Sequence, residues 1–226
     1  MRAMILAAGR GERMGELTAK TPKPLLRVAD KYLIEYTITG LRRAGIDEIV
    51  INVSWHGDQI KTALGDGKRY GAKFIYSEES ERLETGGGIF KALPFLGSDP
   101  FLVVSADIIT DFSFEKLPKY PKGLAHLVVV ENPPFHPHGD FGLNGKYLDM
   151  LHAPAYTFAN IGVYRPELFD GCEAGHFPLS KLLFPAIRKN EITGELYHGL
   201  WFNIGTPEDL TAINTRIRED TNLACK

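Results

Sequence analysis

Apolar and polar positions alternate in short blocks along the chain. Near-continuous apolar runs at Ala3–Ala8, Glu48–Val53, Lys73–Ser77, Phe101–Ser105 and Leu124–Val130 read as strands buried on both faces. Helical spacing appears between them, near Tyr32–Ala44, Gly57–Leu64 and Gly86–Leu93. Strand–helix–strand repetition predicts an α/β fold with a mainly parallel sheet. After Val130 the pattern changes. Asn132–Asp140 is rich in Pro and His, and Phe141–Leu151 reads as a hairpin broken by Gly and Asn. A further strand is expected at Phe158–Tyr164, with helices near Pro166–Phe169 and Leu179–Lys189. Thr206-Pro207-Glu208-Asp209 opens a last helix, with Thr206 as N-cap, Pro207 at N1 and Asp209 placed to complete a capping box.

With 226 residues and no linker or internal repeat, the chain is expected to form one domain over 1–226. Its net charge of −2 excludes a strongly basic nucleic-acid coat. The two cysteines, Cys172 and Cys225, form no CxxC pair, so a disulfide framework or cysteine zinc site is not expected and a reducing compartment fits. No apolar run approaches the ~20 residues of a bilayer span. Ala3–Ala8 is too short for a signal core, so a cytoplasmic protein is expected, without membrane or nucleic-acid partners. The sequence leaves the oligomeric state open.

Gly9-Arg10-Gly11-Glu12-Arg13 follows the first strand, where open α/β sheets bind ligands. Glycines there let backbone N–H groups approach phosphate oxygens. No GxxxxGK[ST] string occurs. A GxGxxG dinucleotide fingerprint would need glycine where Met14 stands, and an acidic residue where Ser54-Trp55-His56 stands. Thr21-Pro22-Lys23-Pro24 adds a lysine pinned between two prolines, ten residues after Arg13. Together these pieces read as an anion clamp; separately they read as a loop and a solvated lysine.

Leu6-Ala7-Ala8-Gly9-Arg10-Gly11-Glu12-Arg13-Met14 followed by Thr21-Pro22-Lys23-Pro24 resembles the signature of the sugar-1-phosphate nucleotidyltransferases. Glu84-Thr85-Gly86-Gly87-Gly88, Ser105-Ala106-Asp107 and Trp201-Phe202-Asn203-Ile204-Gly205-Thr206 extend the resemblance over nearly the whole chain. Within that family, the string from Glu84 to Leu93 and Gly139-Asp140-Phe141 are most similar to uridylyltransferases of N-acetylmuramate-1-phosphate, enzymes of cell-wall sugar recycling. Guanylyltransferases of mannose-1-phosphate, and transferases of other hexose phosphates, are the alternative. The resemblance implies a Rossmann-like three-layer α/β/α sandwich, with a nucleotide-binding half at about 1–112 and a sugar-binding half at about 113–220.

It also implies the reaction of a nucleoside triphosphate and a sugar-1-phosphate, giving a nucleotide sugar and pyrophosphate with Mg²⁺ as cofactor. Two unit charges ~4 Å apart repel by about 4 kcal/mol at an effective dielectric of 20, so local cations must neutralise the two phosphates. By the resemblance, Leu6, Ala7, Ala8, Gly9 and Gly11 hold the nucleotide. Arg13 braces the departing pyrophosphate, and Lys23 bridges the α-phosphate and the incoming sugar phosphate. Glu84, Gly86 and Gly87 contact the base, where three glycines at a helix start suggest close approach to a flat ligand. Asp107 binds Mg²⁺; as a residue in isolation it could equally be a helix cap or a solvated acid. Thr85, Asp140 and Asn160 are assigned to the sugar. His136 and His138 are candidates for a carboxylate on the sugar, although His136-Pro137-His138-Gly139-Asp140 also has the form of a transition-metal string.

Some positions depart from the family. Asn203 stands where the family commonly has a second Asp for the metal, Ser105-Ala106 replaces a Gly-containing turn, and Gly15-Glu16 replaces Arg-Pro. These departures keep a second class open, a non-catalytic nucleotide or sugar-phosphate binder.

Overall fold

The computed structural model describes residues 1–150 and 154–219. Along the chain lie β1 (Ala3–Leu6), β2 (Arg27–Val28), β3 (Lys31–Tyr32), α1 (Leu33–Arg43), β4 (Glu48–Val53), α2 (Gly57–Leu64) and β5 (Lys73–Glu78). Next come α3 (Glu84–Leu96), β6 (Phe101–Ser105), β7 (Ile108–Thr110), β8 (Ala125–Val130), β9 (Phe141–Asn144) and β10 (Tyr147–Asp149). The remainder is β11 (Ala155–Tyr164), α4 (Ser180–Arg188), β12 (Ile192–Tyr197), β13 (Trp201–Asn203) and α5 (Pro207–Glu219). Short 3₁₀ turns include Glu12–Thr18 and Lys23–Leu25.

These elements form two compact units that interleave in sequence. The first comprises Met1–Met4, Leu83–Val104 and Lys116–Gly199; the second comprises Ile5–Arg82, Ser105–Glu115 and the chain from Leu200 onward.

In the first unit, β6 pairs antiparallel with β11, and β11 antiparallel with β8. β8 and β12 run parallel from Ala125↔Ile192 to Val130↔Tyr197. β10 pairs antiparallel with both β12 and β9, and β9 returns to β11 at Phe141↔Tyr156. The sheet is therefore mixed, and a mainly parallel reading does not describe this unit. Long apolar strands such as β8 and β11 are buried on both faces whichever way they run, so their sequence carries no sign of direction.

In the second unit, β4 and β5 are parallel over six residue pairs. β13 pairs antiparallel with β7, and β2 with β3. A buried cluster of Met14, Leu26, Val28, Leu33, Ile109, Ile204, Ile213 and Ile217 joins the loop after β1, the Lys23 turn, β7, β13 and α5. The predicted cap of α5 is present as a reciprocal pair. The Asp209 carboxylate accepts from the Thr206 N–H at 2.9 Å, and the Asp209 N–H donates to the Thr206 hydroxyl at 3.2 Å. The far end of the expected hairpin, Leu151, and the polar tail Asp220–Lys226 lie outside the described residues. Among the described residues no helix is long and apolar enough to cross a membrane.

Candidate active site

In the second unit the core fixes four polar side chains, each next to a buried apolar neighbour. Met14 is 1% exposed and anchors the turn that carries Arg13. Leu26 holds the turn that carries Lys23, and Ile204 follows Asn203. The Ile204 N–H donates to the Asp107 carbonyl at 2.9 Å, so the β6–β7 turn and the end of β13 are locked side by side.

Lys23 is 8% exposed. Its ammonium donates to Asp107 Oδ2 at 2.5 Å. The stem of Lys23 lies against Gly11: a Cβ there would stand 3.1 Å from Lys23 Cβ, and the φ of +67° at Gly11 is one that side-chain-bearing residues rarely adopt. Gly11 also begins the Glu12–Thr18 turn, its carbonyl accepting from Met14 N–H at 2.8 Å and the Thr18 hydroxyl at 2.9 Å. The Arg13 guanidinium lies against Gly205, where a Cβ would stand 3.2 Å from both terminal nitrogens. Lys23, Asp107 and Gly11 thus form one cluster, and Arg13 is held beside the strand end that carries Asn203.

Two oxygens of this region are left without a donor. Asp107 Oδ1 and Asn203 Oδ1 are both buried and have no hydrogen-bond partner. A buried unpaired acceptor is costly and calls for a reason. Hard oxygen donors of this kind fit a Mg²⁺ ion, which takes one or two protein ligands and keeps waters and phosphates for the rest.

The other nucleotide candidates differ in what they have free. Ala7 is 4% exposed and its N–H already donates to Asn52 Oδ1 at 2.8 Å. Asn52 in turn donates to Glu79 at 2.7 Å. This buried Asn52–Glu79 support of the loop after β1 was not among the expected site residues; a polar Asn inside the apolar run of β4 and an acid just past β5 were its sequence signal. Leu6 ends β1, Ala8 is half-buried, and Gly9 is exposed with open space where a Cβ would stand.

The first unit holds the remaining candidates. Glu84 opens α3 with φ +58°, unusual for a non-glycine residue, and its carboxylate lies 3.5 Å from His176 Nε2. Thr85 is exposed. Gly86 and Gly87 are required by packing inside the unit, a reason the sequence reading did not foresee. A Cβ on Gly86 would stand 2.5 Å from the Phe177 ring, and one on Gly87 would overlap the Gly175 carbonyl oxygen. The Gly87 N–H donates to the Phe177 carbonyl at 3.0 Å, and Phe177 N–H to the Leu83 carbonyl at 3.1 Å.

Asp140 has both carboxylate oxygens engaged. One accepts from the Phe158 N–H at 2.8 Å, and the other lies 3.1 Å from His136 Nε2. Phe158 begins a register shift in β11 that ends at Gly162, and within it Asn160 has φ +57°. Asp140 thus holds the Phe158 end of the bulge that contains Asn160. His138 is exposed and takes no part in the His136–Asp140 pair. Among the described residues no group of three His, Cys, Asp or Glu side chains is gathered as a transition-metal site would need.

Residues 2–145 match the sequence family described as nucleotidyl transferase. A relative from Neisseria meningitidis, named N-acetylmuramate alpha-1-phosphate uridylyltransferase, is 49% identical over 218 residues, covering 91% of this chain and 94% of that protein. The chain belongs to the nucleotidyl transferase family. As a member it is an enzyme that transfers a nucleotidyl group. It is also similar to the mannose-1-phosphate guanylyltransferase catalytic subunit beta of Drosophila melanogaster, at 30% identity over 92% of this chain, but spans 60% of that longer protein. The fold is shared with a solved structure from Bacillus anthracis, provisionally designated a glucose-1-phosphate thymidylyltransferase and holding sucrose. The TM-score is 0.83 at 19% identity, over 97% of this chain and 96% of that one.

Proposed function

We propose that this chain joins UTP and N-acetylmuramate-1-phosphate to give UDP-N-acetylmuramate and pyrophosphate, with Mg²⁺, in the recovery of cell-wall sugars. The nearly full-length likeness to the Neisseria uridylyltransferase supports this substrate pair over the guanylyl alternative. The observation that carries the chemistry is the part-buried Lys23–Asp107 pair, in the same unit as Arg13 and Asn203.

In this reading an oxygen of the sugar phosphate attacks the α-phosphorus of UTP, and the bond from that phosphorus to the bridging oxygen of the β-phosphate breaks. The protein's work is positioning and charge neutralisation. Backbone N–H groups of Ala8 to Gly11 hold the triphosphate. Arg13, steadied on Gly205, takes charge developing on pyrophosphate. Lys23 uses one N–H on Asp107 and keeps two for the α-phosphate and the attacking phosphate. Asp107 Oδ1 and Asn203 Oδ1 would hold Mg²⁺, which when bound supplies positive charge to the phosphates. In the first unit, Glu84, Gly86 and Gly87 are assigned to the base. Thr85, Asn160 and His138 are assigned to the sugar, with Asp140 and His136 shaping the bulge that presents Asn160.

Pyrophosphate release with Mg²⁺ tests the reading, crossing UTP, GTP, dTTP and CTP against N-acetylmuramate-, N-acetylglucosamine-, glucose- and mannose-1-phosphate. Turnover confined to UTP with N-acetylmuramate-1-phosphate is expected. Turnover with GTP and mannose-1-phosphate would overturn the substrates and keep the mechanism. Binding of UTP without turnover anywhere in the grid would make the chain a binder.

A further inference from the structure

The segment between Arg13 and Lys23 is gripped from one side by a single turn. Trp55 Nε1 donates to the Thr18 carbonyl at 3.3 Å. His56 Nε2 lies 3.1 Å from the Ala19 carbonyl, and Gln59 Nε2 donates to the Lys20 carbonyl at 2.9 Å. Three successive carbonyls are thus met by three side chains from Ser54–Gln59, where β4 passes into α2. The same turn reaches the glycine loop, since the Arg10 guanidinium stacks on the Trp55 ring at 4.4 Å from its centroid.

Burial alone does not explain this arrangement. Ala19 and Lys20 are exposed, and water would satisfy their carbonyls as well. What the side chains add is a fixed position for a segment with no sheet or α-helix of its own. The turn itself is held in an unusual shape for the purpose: His56 has φ +53°, which non-glycine residues rarely adopt, and Gly57 N–H closes the turn on the Ser54 carbonyl at 2.9 Å. The gripped carbonyls stand between Thr18, whose hydroxyl bonds Gly11, and Lys23, whose stem packs on Gly11. Moving Thr18–Lys20 therefore moves both ends of the cation pair.

The geometry points to Trp55, His56 and Gln59 as positioning residues that set the register of Arg13 and Lys23 for the nucleotidyl transfer. This rests on the assignment of those two cations to the phosphates. None of the three touches the reacting groups; they act through the backbone of Thr18–Lys20.

The test compares His56→Asn, Gln59→Met, their double variant and Trp55→Phe with the parent protein. Asn tolerates the φ of His56 but is too short to reach Ala19. Phe keeps a ring beneath Arg10 and loses the N–H. Steady-state kinetics with Mg²⁺ and UTP are read beside hydrogen exchange of the Glu12–Lys20 amides and the melting temperature. The expected result for the double variant is a fall in kcat of about tenfold, as for a small misplacement of catalytic groups. The KM for the sugar phosphate stays within about twofold, exchange of Glu12–Lys20 quickens, and the melting temperature moves by no more than about 3 °C, a shift equivalent to roughly 1 kcal/mol for a chain of this size. Unchanged exchange in Glu12–Lys20 overturns the proposal, and so does a kinetic loss that merely tracks the melting temperature. If the parent turns over no substrate pair, the functional reading has failed and not the hold of Trp55, His56 and Gln59 on Thr18–Lys20, which quickened exchange would still support.

Discussion

Lys23 and Asp107 are each other's counter-ion, and this shapes what single substitutions do. Lys23→Ala removes the cation assigned to two phosphates and leaves a partly buried carboxylate alone. We expect kcat/KM to fall by at least about 100-fold, the cost of losing one pre-organised charge donor, in a steady-state assay. The same pairing predicts that the protein contributes little net charge to Mg²⁺, because Lys23 cancels Asp107 and Asn203 is neutral. Asn203→Asp is therefore expected to lower the Mg²⁺ concentration for half-maximal rate and to tighten Mg²⁺ binding without nucleotide, measured by calorimetry; no change in either would refute the assignment of Asn203. Much of this site is legible in the sequence because its residues sit in dense strings. Asp140 was less so. Its carboxylate is spent on Phe158 N–H and His136, and a loop sequence does not say whether an acid faces a ligand or its own backbone.

At the scale of elements, β4 and α2 fall at their predicted bounds, since the apolar run Ile49–Val53 marks the strand and Gly57 and Gly65 bracket the helix. β12 was not among the predicted strands. Gly194 interrupts its apolar run, and the place of a side chain there is filled by Leu148. The antiparallel entry of β11 is likewise unreadable, because strand direction is set by tertiary pairing. Two substitutions probe element contacts. Gly87→Ala drives a methyl into the Gly175 carbonyl at the start of α3, and about 2 kcal/mol of destabilisation is expected by urea unfolding. Thr206→Ala removes one half of the α5 capping box and is expected to cost about 1 kcal/mol, with full retention of the fold by circular dichroism.

Across the whole molecule, half-buried tyrosines and the fully enclosed Tyr164 set an alkaline limit. Burial first, then Asp30 and Glu35, pushes Tyr36 from 10.0 up to about 12. Burial, with a hydrogen bond to Glu35, moves Tyr70 to about 12, and burial moves Tyr76 to about 12. Burial raises fully enclosed Tyr164 as well. Each is held neutral in the fold more strongly than in the unfolded chain. Their contribution is fully present below pH 10 and is lost as pH rises toward 12. The melting temperature is expected to drop across that window, in step with tyrosinate absorbance; a flat profile would contradict it.

The chain passes from one compact unit to the other at Met4/Ile5, Arg82/Leu83, Val104/Ser105, Glu115/Lys116 and Gly199/Leu200. No single cut in the gene can release either unit intact. A ribosome that has made the first hundred residues has completed neither, so a nascent chain carries Lys23 before its partner Asp107 exists. Gene duplication or fusion could exchange one unit for another only by several simultaneous crossovers.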